Sequence, residues 1–523
     1  MDVLADNHLR DLGAVTSLNA LRSPDRIAVA DATGVRRTHA ELDRRTNQLA
    51  QALLGLGLTA GDRIGAWMDD VVEYVEVYVA AAKAGLVVVP VNHRLTVAEA
   101  GFQLEHTGAR ALIYTADVGD RAERLVKELS LMAVVARGTP TMAGHGWDEI
   151  LDAASTAPLP PPDPDTAFMI CFTSGTSGRP KGAVLTHRSV MTLATTQLTA
   201  LRIPIGGVNL QIVSMSFAAT VCSQMVPHLL AGGTQVLYQG SWDSDRVLDL
   251  VAKERATHIY VPGPAVLDLA ASMERDPSRW RTLNSVLHAG SKADPEDLRR
   301  LADVVGSRFV EGWGMTEISG GLATALAPND LVDPDPAVFT TVGRPVPGTM
   351  VRAVDEQDNT LPAGEVGELV VRSASVFAGY WADPDVNAAV LRNGWYYTGD
   401  IGSVDARGYV SISDRRTNLI VSGGMNIYPA EIELALSRCP GVVECAVVGG
   451  PHPRWGQTPV AVVVRDPAAN LDEDAVVAFL KTRLASYKKP TRVIWVDEIP
   501  RTTGGKVARG RLRSDLGLDR GVE

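Results

Sequence analysis

The sequence predicts an α/β protein with a large, multi-layered N-terminal domain of mixed sheets and helices and a small α+β C-terminal domain. Three observations support this prediction. The 523 residues are too many for one hydrophobic core. Helical and strand-like patterns alternate through the first half of the chain. Roughly the last hundred residues carry a separate pattern of helices and strands, which suits a small domain.

The alternating patterns are clearest between residues 38 and 92. "THAELDRRTNQLAQALLGLG" has apolar residues at helical spacing, with Thr38 as a start signal and glycine as a stop signal. "DRIGAWM" is typical of a strand, "VEYVEVYVAAAKAG" of a helix and "LVVVPVN" of a buried strand. This order predicts layers of helices packed on sheets.

A proline-rich connector, "PLPPPDPD", precedes the buried strand predicted at "AFMICF". That strand leads into "TSGTSGRPKG", residues 173–182. Such a loop offers backbone N–H groups, hydroxyls and one lysine, which are the donors that a polyphosphate needs. The pattern GxxxxGK[ST] is absent, and Lys181 is followed by "GAVLTH" and not by a helix start, so a P-loop kinase or ATPase is disfavoured. A plain surface loop is the alternative, but the position directly after a buried strand favours binding.

Composition and charge exclude several classes of protein. The net charge of −11 argues against a general nucleic-acid surface. Cys171, Cys222, Cys439 and Cys445 form no CxxC pair, so neither a disulfide framework nor a zinc site is expected, and a cytoplasmic location is predicted. The N-terminus lacks the pattern of a secretory signal. Charged residues interrupt the most apolar stretch, 71–91, so no integral membrane segment is expected.

The glycine loop and its flank, "TSGTSGRPKGAVLTH", resemble the signature of the adenylate-forming superfamily, which includes acyl-CoA synthetases, peptide-synthetase adenylation domains and luciferases. The other motifs follow in the family's order: "EGWGMTE", "YTGD", "SDRRTN", "SGGMNIYPAEIE" and "PRTTGGKVAR". The resemblance covers nearly the whole chain and points to the acyl-CoA synthetase or fatty-acid–CoA ligase branch, and so to fatty acid metabolism. It implies that ATP, Mg²⁺, coenzyme A and a small carboxylic acid bind.

The resemblance also implies a set of nucleotide- and CoA-binding residues. These are Thr173, Ser174, Gly175, Thr176, Ser177, Gly178, Lys181, Ala289, Gly290, Ser291, Glu311, Gly312, Trp313, Gly314, Met315, Asp400, Arg415, Gly423, Gly424, Trp455 and Lys488.

Some of these residues have individual roles in the resemblance. Trp313, where tyrosine is commoner, would stack on adenine. Asp400 would accept from the two ribose hydroxyls, with Arg415 reaching the same ribose. Thr316 would bond the α-phosphate, and Glu317 would hold Mg²⁺ together with Thr173. His288, beside the adenine segment, is interpreted as a packing histidine.

The implied reaction has two steps. ATP converts the carboxylate into an acyl-AMP anhydride with release of pyrophosphate, and the acyl group then passes to CoA. The first step needs charge neutralisation and in-line positioning, and Lys506 would act there with Thr316 and Glu317. For the second step the small, mobile domain would rotate and present "SGGMNIYP". The pivot would be Thr417, where the family usually has Asp or Lys, so the domains are predicted to span 1–416 and 417–523.

The segment from Val213 to Val226 resembles the family stretch that flanks the acyl pocket. It contains no acidic residue to pair with an amino-acid ammonium, and no Lys or Arg to pair with a second carboxylate, with Lys292 as an exception elsewhere. An apolar acid, aliphatic or ring-bearing, is therefore predicted. The alternative is that its alanines serve helix packing and the acid binds elsewhere. The predicted acid-binding residues are Phe217 (histidine in many relatives), Ala218, Val221, Gly290, Gly312, Gly320 and Gly321.

Two other functions stay open from the sequence. In the first, the enzyme would transfer the acyl group to the thiol of a carrier protein instead of CoA, although the sequence shows no carrier domain. A non-catalytic member of the family would bind nucleotide or acyl-adenylate only, against which the retained Thr173, Glu317, Asp400, Arg415 and Lys506 argue. The sequence also leaves the oligomeric state open, with a homodimer as one candidate.

Overall fold

The structure, a computed structural model, describes residues 11–137, 144–173, 180–290, 293–326, 328, 330–331, 335–415, 418–422, 425–469, 471–481, 483–484, 488–502 and 505–518. The chain divides into two compact units. The large unit comprises Met1–Thr173, Pro180–Met350 and Val371–Tyr396, and the small unit comprises Ser174–Arg179, Val351–Val370 and Tyr397–Glu523. The predicted large and small parts are confirmed, and the boundary between 416 and 417 stays a prediction.

The helices occur throughout both units. They are α1 (Leu12–Arg22), α2 (His39–Gly55), α3 (Val72–Ala84), α4 (Val97–Thr107), α5 (Gly119–Glu128), α6 (Trp147–Asp152), α7 (His187–Ala200), α8 (Ala218–Thr220), α9 (Val226–Leu230), α10 (Ser244–Glu254), α11 (Val266–Arg275), α12 (Pro295–Val305), α13 (Pro384–Val390), α14 (Pro429–Ser437), α15 (Glu473–Lys481) and α16 (Arg509–Asp515).

The strands of the first half alternate with these helices, as the sequence predicted. They are β1 (Ile27–Asp31), β2 (Arg36–Thr38), β3 (Arg63–Trp67), β4 (Val87–Val91), β5 (Ala111–Thr115), β6 (Met132–Arg137), β7 (His145–Gly146), β8 (Ala167–Thr173), β9 (Lys181–Thr186), β10 (Val208–Gln211), β11 (Thr234–Leu237), β12 (His258–Val261) and β13 (Ser285–Ala289).

The remaining strands follow in the second half. They are β14 (Phe309–Gly314), β15 (Leu322–Leu326), β16 (Arg344–Pro345), β17 (Thr349–Val354), β18 (Gly367–Ser373), β19 (Gly379–Tyr380), β20 (Leu391–Arg392), β21 (Trp395–Val404), β22 (Val410–Arg415), β23 (Ile420–Ser422), β24 (Met425–Ile427), β25 (Val442–His452), β26 (Gly456–Arg465) and β27 (Arg492–Trp495).

Two large mixed sheets organise the large unit. The first has the strand order β16-β15-β14-β13-β12-β10-β11-β1-β2, and the second has the order β19-β9-β8-β4-β3-β5-β6-β7. The inner strands of both sheets are parallel. Antiparallel strands lie at both edges of the first sheet and at the β19 edge of the second, whose other edge strand, β7, is parallel. Parallel strands must be covered on both faces, which explains their continuous apolar sequences. The predicted strands at "DRIGAWM", "LVVVPVN" and "AFMICF" are β3, β4 and β8.

Helix α3 is the most deeply buried helix named in the sequence analysis, because all its residues from Val72 to Ala84 are buried. Its charged side chains have partners on α2. The Lys83 ammonium lies 2.6 Å from Asp43 Oδ1, and Glu76 accepts from Arg45 Nε at 2.6 Å. Buried charges require such pairing. Among the described residues, no helix is both long enough and apolar enough to cross a bilayer.

Helix α2 begins where the sequence predicted, because Thr38 forms a capping box with Glu41. Helix α3 ends at Gly85, which adopts a left-handed conformation. The proline-rich connector between α6 and β8 forms no helix or strand. All four cysteines are free, as expected for a chain without a disulfide framework.

The small unit contains a sheet with the order β24-β23-β26-β25, and β27 pairs with β26. One face of β25 and β26 packs Val447 and Val463 against α14 and α15. The other face packs Val448 and Val462 against Leu512 of α16. Alternation along the strands thus builds two apolar layers, which confirms the predicted α+β character of this part.

Candidate active site

The hairpin of β8 and β9 presents the two ends of the predicted phosphate loop. Thr173 is the last residue of β8, and in the antiparallel register it lies opposite Lys181, the first residue of β9. A methyl group at Gly182 would lie 2.7 Å from Ile170 Cγ2, so glycine lets the two strands pack closely here. The hairpin therefore fixes the first hydroxyl and the lysine of the motif on neighbouring strands.

Tyr380 connects this hairpin to Glu317. Its hydroxyl donates to Glu317 Oε1 at 2.7 Å, and Lys181 Nζ lies 5.3 Å from the centre of its ring. Strand β19 pairs Tyr380 with Ala183 of β9. The Asn387 side chain accepts from Tyr380 N at 2.6 Å and donates to Tyr380 O at 2.8 Å, which fixes its backbone. One aromatic residue thus contacts both the loop lysine and the predicted Mg²⁺ carboxylate.

The segment after β14 makes a tight reversal that holds Glu317. Thr316 is half-buried and opens a short 3₁₀ turn, and Ser319 and Gly320 follow with φ values of 52° and 76°. The Ser319 hydroxyl oxygen lies 2.9 Å from Ser189 Oγ and 2.9 Å from Ser375 O, within hydrogen-bond distance of both. The Glu317 carbonyl accepts from Phe377 N at 2.9 Å. Backbone and side chain of the motif acid are therefore both fixed.

The ends of β13 and β14 carry the predicted adenine segment. His288 Nδ1 lies 2.5 Å from Glu311 Oε2, and both side chains are buried. Burial raises the pKa of Glu311, and the neighbouring His288 opposes that change. The Tyr260 hydroxyl donates to Ala289 O at 3.0 Å, beside Gly290 with φ of 81°. The contact of His288 with Glu311 agrees with its interpretation as a packing residue.

The other predicted residues of β14 and its end are placed as follows. Trp313 is buried on β14, while Gly314 and Met315 are half-buried. A methyl group at Gly314 would lie 1.8 Å from Gly321 O, and one at Gly312 would lie 2.6 Å from Leu322 Cδ2. Glycine at both positions is thus explained by close packing against β15 and the residue before it.

The predicted acyl-pocket segment follows β10. Phe217 is half-buried, whereas Ala218 and Val221 are buried. Helix α8 continues into a π-helical turn, Val221–Met225, and then into α9. A methyl group at Gly320 would lie 2.4 Å from the carbonyl carbon of Ala218. The structure therefore places Gly320 directly against the backbone of the segment that carries Phe217, and the role of both residues toward the acid stays a prediction.

Asp70, which the sequence analysis did not identify, holds the same segment. It follows β3, and its Oδ1 accepts from Met215 N at 2.7 Å and from Ser214 Oγ at 3.4 Å. The residue as a whole is half-buried, but protein atoms crowd its carboxyl group. Burial raises the pKa of Asp70 from 3.8 to about 7, with the Met215 hydrogen bond acting in the opposite direction.

In the small unit, Asp400 and Arg415 form an ion pair across β21 and β22. They are opposite each other in the register, and Arg415 Nε lies 2.8 Å from Asp400 Oδ1. The neighbouring Asp414, also missed from the sequence, accepts from Arg415 N at 2.7 Å, from Asn418 Nδ2 at 3.0 Å and from Ala430 N at 2.9 Å. The structure thus brings the two predicted ribose residues together.

Lys506 lies in an exposed turn of the small unit. Its N–H donates to Thr502 Oγ1 at 3.3 Å, and its carbonyl accepts from Thr502 N at 2.7 Å. Arg501 braces the turn, because its guanidinium donates to Gly505 O at 2.6 Å and contacts Glu444 at 2.5 Å. The backbone of the turn is therefore fixed while the lysine itself is exposed.

The two predicted CoA-side residues differ in their surroundings. Trp455 is 41% exposed and stacks on His452, with 4.2 Å between ring centres. The Lys488 ammonium lies 2.7 Å from both oxygens of Glu431. Lys488 is therefore engaged by a carboxylate on α14, and a role toward CoA stays a prediction.

Several predicted residues lie outside the described part of the chain. They are Ser174, Gly175, Thr176, Ser177, Gly178, Ser291, Lys292, Thr417, Gly423 and Gly424. Their roles stay predictions.

Two family models match the chain. The model of the AMP-binding enzyme matches residues 17–381, and the model of the AMP-binding enzyme C-terminal domain matches residues 431–506. The chain belongs to the AMP-binding enzyme family. The first match spans the loop, Glu317 and Tyr380, and the second reaches Lys506.

Two named relatives and a solved structure are similar to this chain over nearly its full length and theirs. The chain is 36% identical to a feruloyl-CoA synthase of Amycolatopsis sp, with 97% of this chain and 99% of the relative covered. It is 34% identical to the fatty acid–[acyl-carrier-protein] ligase ScoC of Streptomyces coeruleorubidus, with 98% of each covered. ATP-bound MatB from Rhodopseudomonas palustris has a TM-score of 0.87 and 30% identity, with 97% of this chain and 99% of that chain covered.

These matches confirm the adenylate-forming superfamily and its acyl-CoA synthetase branch, and with it the enzyme class, an AMP-forming carboxylate–CoA ligase. ATP and CoA are the substrates of CoA ligases in this family. Tyr380 had no local signal in the sequence, because its role follows from a strand pairing with residues about 200 positions earlier. Asp70 had a weak signal, two acidic residues directly after a buried strand.

The raised pKa of Asp70 predicts a pH-dependent effect on stability. The folded protein holds this proton more tightly than the unfolded chain does. The free energy of unfolding of the wild type therefore falls by at most about 4 kcal/mol as the pH rises from about 4 to about 7, and it levels off above that. Asp70→Asn has no such proton. Its apparent Tm relative to wild type should therefore increase from pH 5 to pH 8, as measured by thermal denaturation. A constant Tm difference would contradict the assigned pKa.

Proposed function

We propose that this protein converts an apolar carboxylic acid into its acyl-AMP at the residues described above and then transfers the acyl group to CoA. The observation that carries the proposal is the position of Tyr380, which contacts Lys181 with its ring and Glu317 with its hydroxyl. This arrangement supports a polyphosphate site at the hairpin with a carboxylate beside it. Such a site serves the activation of a carboxylic acid by ATP.

The first step joins two anions. A carboxylate oxygen of the acid attacks the α-phosphorus, the bond to the bridging oxygen breaks, and pyrophosphate leaves with the electron pair. Lys506 would neutralise the carboxylate and the α-phosphate, while Lys181, Thr173 and the loop 174–178 would take charge on the β- and γ-phosphates. Thr316 would donate to the α-phosphate.

Mg²⁺ fits the described residues through Glu317. Among the described residues no group of three or more His, Cys, Asp or Glu side chains could hold a metal by itself. Mg²⁺ is commonly held by one or two carboxylates together with substrate phosphates, so a single buried carboxylate oriented by Tyr380 is sufficient. When bound, the ion would neutralise charge on the departing pyrophosphate. Thr173 would contribute its hydroxyl.

The nucleoside would be held by residues that all lie within the predicted domain 1–416. Trp313 and the segment 289–291 would contact adenine. The Asp400–Arg415 pair would bind the ribose hydroxyls, because a carboxylate offers two acceptors to two donors. Glu311 would act by fixing the strand ends through His288 rather than by direct contact.

The second step is the attack of the CoA thiolate on the acyl carbon, from which AMP leaves with the bonding electrons. The small domain, 417–523, would turn at Thr417 to withdraw Lys506 and present Gly423 and Gly424. Trp455, exposed and stacked on His452, would border the CoA nucleotide. A cytoplasmic location and a homodimer stay predictions.

The acid is proposed to be ring-bearing, with a phenylpropenoic acid first among candidates. The 36% identity to feruloyl-CoA synthases supports this choice, as does the apolar character of Phe217, Ala218 and Val221. The second candidate function is the ligation of a fatty acid to an acyl carrier protein. It is supported by the 34% identity to ScoC, which is named a fatty acid–[acyl-carrier-protein] ligase.

A panel of acids tests the substrate class. Ferulate, cinnamate, octanoate, palmitate, an amino acid and succinate are each supplied with ATP, Mg²⁺ and either CoA or phosphopantetheinyl carrier protein. We expect AMP and pyrophosphate with the phenylpropenoic acids and CoA, and little turnover with the amino acid or succinate, which lack charge partners in the segment. ADP as product would contradict adenylation, and preference for the carrier protein would establish the second candidate.

Replacing Lys506 tests the division between the two steps. Lys506→Ala should slow adenylation by two or more orders of magnitude, about 3 kcal/mol, because two anions lose their shared cation. Thioester formation from supplied acyl-adenylate should change far less. Lys481→Ala, at the exposed end of α15, is the control. Equal loss in both half-reactions with the fold intact would remove the assigned role.

Replacing Tyr380 tests the orientation of Glu317. Tyr380→Phe keeps the ring beside Lys181 and removes the hydroxyl that bonds Glu317. Since a hydrogen bond to a charged group contributes about 1.5–3 kcal/mol, the Mg²⁺ concentration for half-maximal adenylation should rise about tenfold or more. Tyr114→Phe, on β5 of the same sheet, should not change it. An unchanged Mg²⁺ requirement would show that Glu317 acts without Tyr380.

A further inference from the structure

The segment from Ser214 to Phe217 connects β10 to α8 and carries the predicted wall of the acyl pocket. It forms a turn rather than a helix or strand, so its position depends on contacts from other elements. Within the segment, Phe217 N donates to Ser214 O at 3.3 Å. The contacts that fix it come from β3, α3, β4 and β8, or from the residues just after those strands.

Asp70 makes the central contact. Its Oδ1 accepts from the Met215 N–H at 2.7 Å and from the Ser214 hydroxyl at 3.4 Å. The backbone carbonyl of Asp70 accepts from Gln239 Nε2 at 2.9 Å. Asp70, three residues after the end of β3, therefore connects the segment to Gln239, which follows β11 in the other large sheet.

Other polar groups hold the segment from further directions. The Tyr78 hydroxyl of α3 donates to Met215 O at 2.7 Å, so both backbone groups of Met215 are engaged. Asn92, after β4, donates through Nδ2 to Ser216 Oγ at 2.9 Å. The hydroxyls of Ser214 and Ser216 lie 3.1 Å apart, which joins these contacts into one network.

The network leaves the segment little room to move. Met215 is fully buried and Ser216 is 6% exposed. On the far side, a methyl group at Gly320 would lie 2.4 Å from the backbone of Ala218. Hydrogen bonds from one side and close packing from the other thus fix the backbone of the segment that carries the half-buried Phe217.

Asp70 is the acidic member of a network whose other hydrogen bonds are made by neutral groups, so its burial costs more free energy than theirs. Desolvation of a charged group costs more than desolvation of a hydroxyl or an amide. The charged neighbours of Asp70 are Asp69, beside it in the chain, and Arg94, after β4. The Asp70 Oδ1 accepts from the Met215 N–H, and a carboxyl group keeps an acceptor oxygen whether it is ionised or protonated.

We propose that Asp70 is a positioning residue for the acyl pocket: through Met215 and Ser214 it fixes the segment that carries Phe217, and it thereby determines which carboxylic acids the enzyme accepts. This inference rests on the proposed function, because it takes Phe217 as a wall of the acid site. It assigns selectivity to a residue that does not touch the acid.

The test compares two acids of different shape, ferulate and octanoate, in wild type, Asp70→Ala and Asp70→Asn. We measure kcat/KM for each acid and KM for ATP from AMP formation. The ratio of the two kcat/KM values should shift by about tenfold or more in Asp70→Ala, with KM for ATP within about twofold of wild type. Asp70→Asn keeps an oxygen acceptor and should restore the ratio to within about threefold of wild type.

Two further variants make the outcome unambiguous. Asp62→Asn changes a buried aspartate at the opposite end of β3 and should leave the ratio unchanged. Tyr78→Phe keeps the stacking on Tyr74 but loses the bond to Met215 O, so it serves if Asp70→Ala fails to fold, and its ratio should shift too.

The contrary results are distinct from failure of the proposed function. An unchanged ratio in folded Asp70→Ala, or in Tyr78→Phe where Asp70→Ala is unfolded, would overturn the inference. Equal losses for both acids and for ATP would also overturn it, because they indicate general destabilisation. Absence of AMP formation by the wild type with every acid would instead overturn the proposed function.

Discussion

The antiparallel pairing of β8 and β9 is the constraint on which the candidate site depends. Its register sets Thr173 opposite Lys181, and a slip by one residue would turn the lysine to the other face of the sheet. The buried apolar residues of β8, from Phe168 to Cys171, oppose such a slip because they would have to exchange a packed environment for the opposite face. The apolar core thus determines where the cation of the loop points.

A second pairing extends that constraint to the motif acid. β9 also pairs with β19, which sets Tyr380 beside Ala183 and brings its hydroxyl to Glu317. The Phe377 N–H bonds the Glu317 carbonyl, so the segment before β19 fixes the backbone of the acid as well. The hairpin of β8 and β9, together with the distant strand β19, therefore positions Lys181, Tyr380 and Glu317 relative to one another.

The sequence predicted the parts of this arrangement that depend on local patterns. Helix α2 has a capping box at Thr38, α3 ends at Gly85 and β8 is a short apolar run, so each is predictable from a dozen residues or fewer. The glycine loop was predicted from its hydrogen-bond donors directly after a buried strand, and Lys506 was predicted because its motif resembles that of a known family.

The residues that were missed depend on distant parts of the chain. Tyr380 acts through strand pairing, and Asp70 acts through a loop about 145 residues later, so no window of the sequence contains both partners of either contact. Glycine was also ambiguous. Gly320 and Gly321 were predicted to bind the acid, but methyl groups there would meet the Ala218 backbone and the Leu193 side chain. Backbone packing and a positive φ require glycine at 320, and the Leu193 side chain opposes a larger residue at 321.

That ambiguity bears on how the pocket acquires its selectivity. If packing accounts for the glycines at 320 and 321, the absence of side chains at these positions does not indicate how long the acid is. The variable part of the pocket is then the path of the segment that carries Phe217, and a path is fixed by hydrogen bonds to the backbone rather than by the side chains that line it. Met215, with its N–H bonded to Asp70 and its carbonyl bonded to Tyr78, is the point where that path is set. Selectivity in this enzyme is therefore better sought in the buried polar contacts behind the wall than in the apolar side chains on its surface.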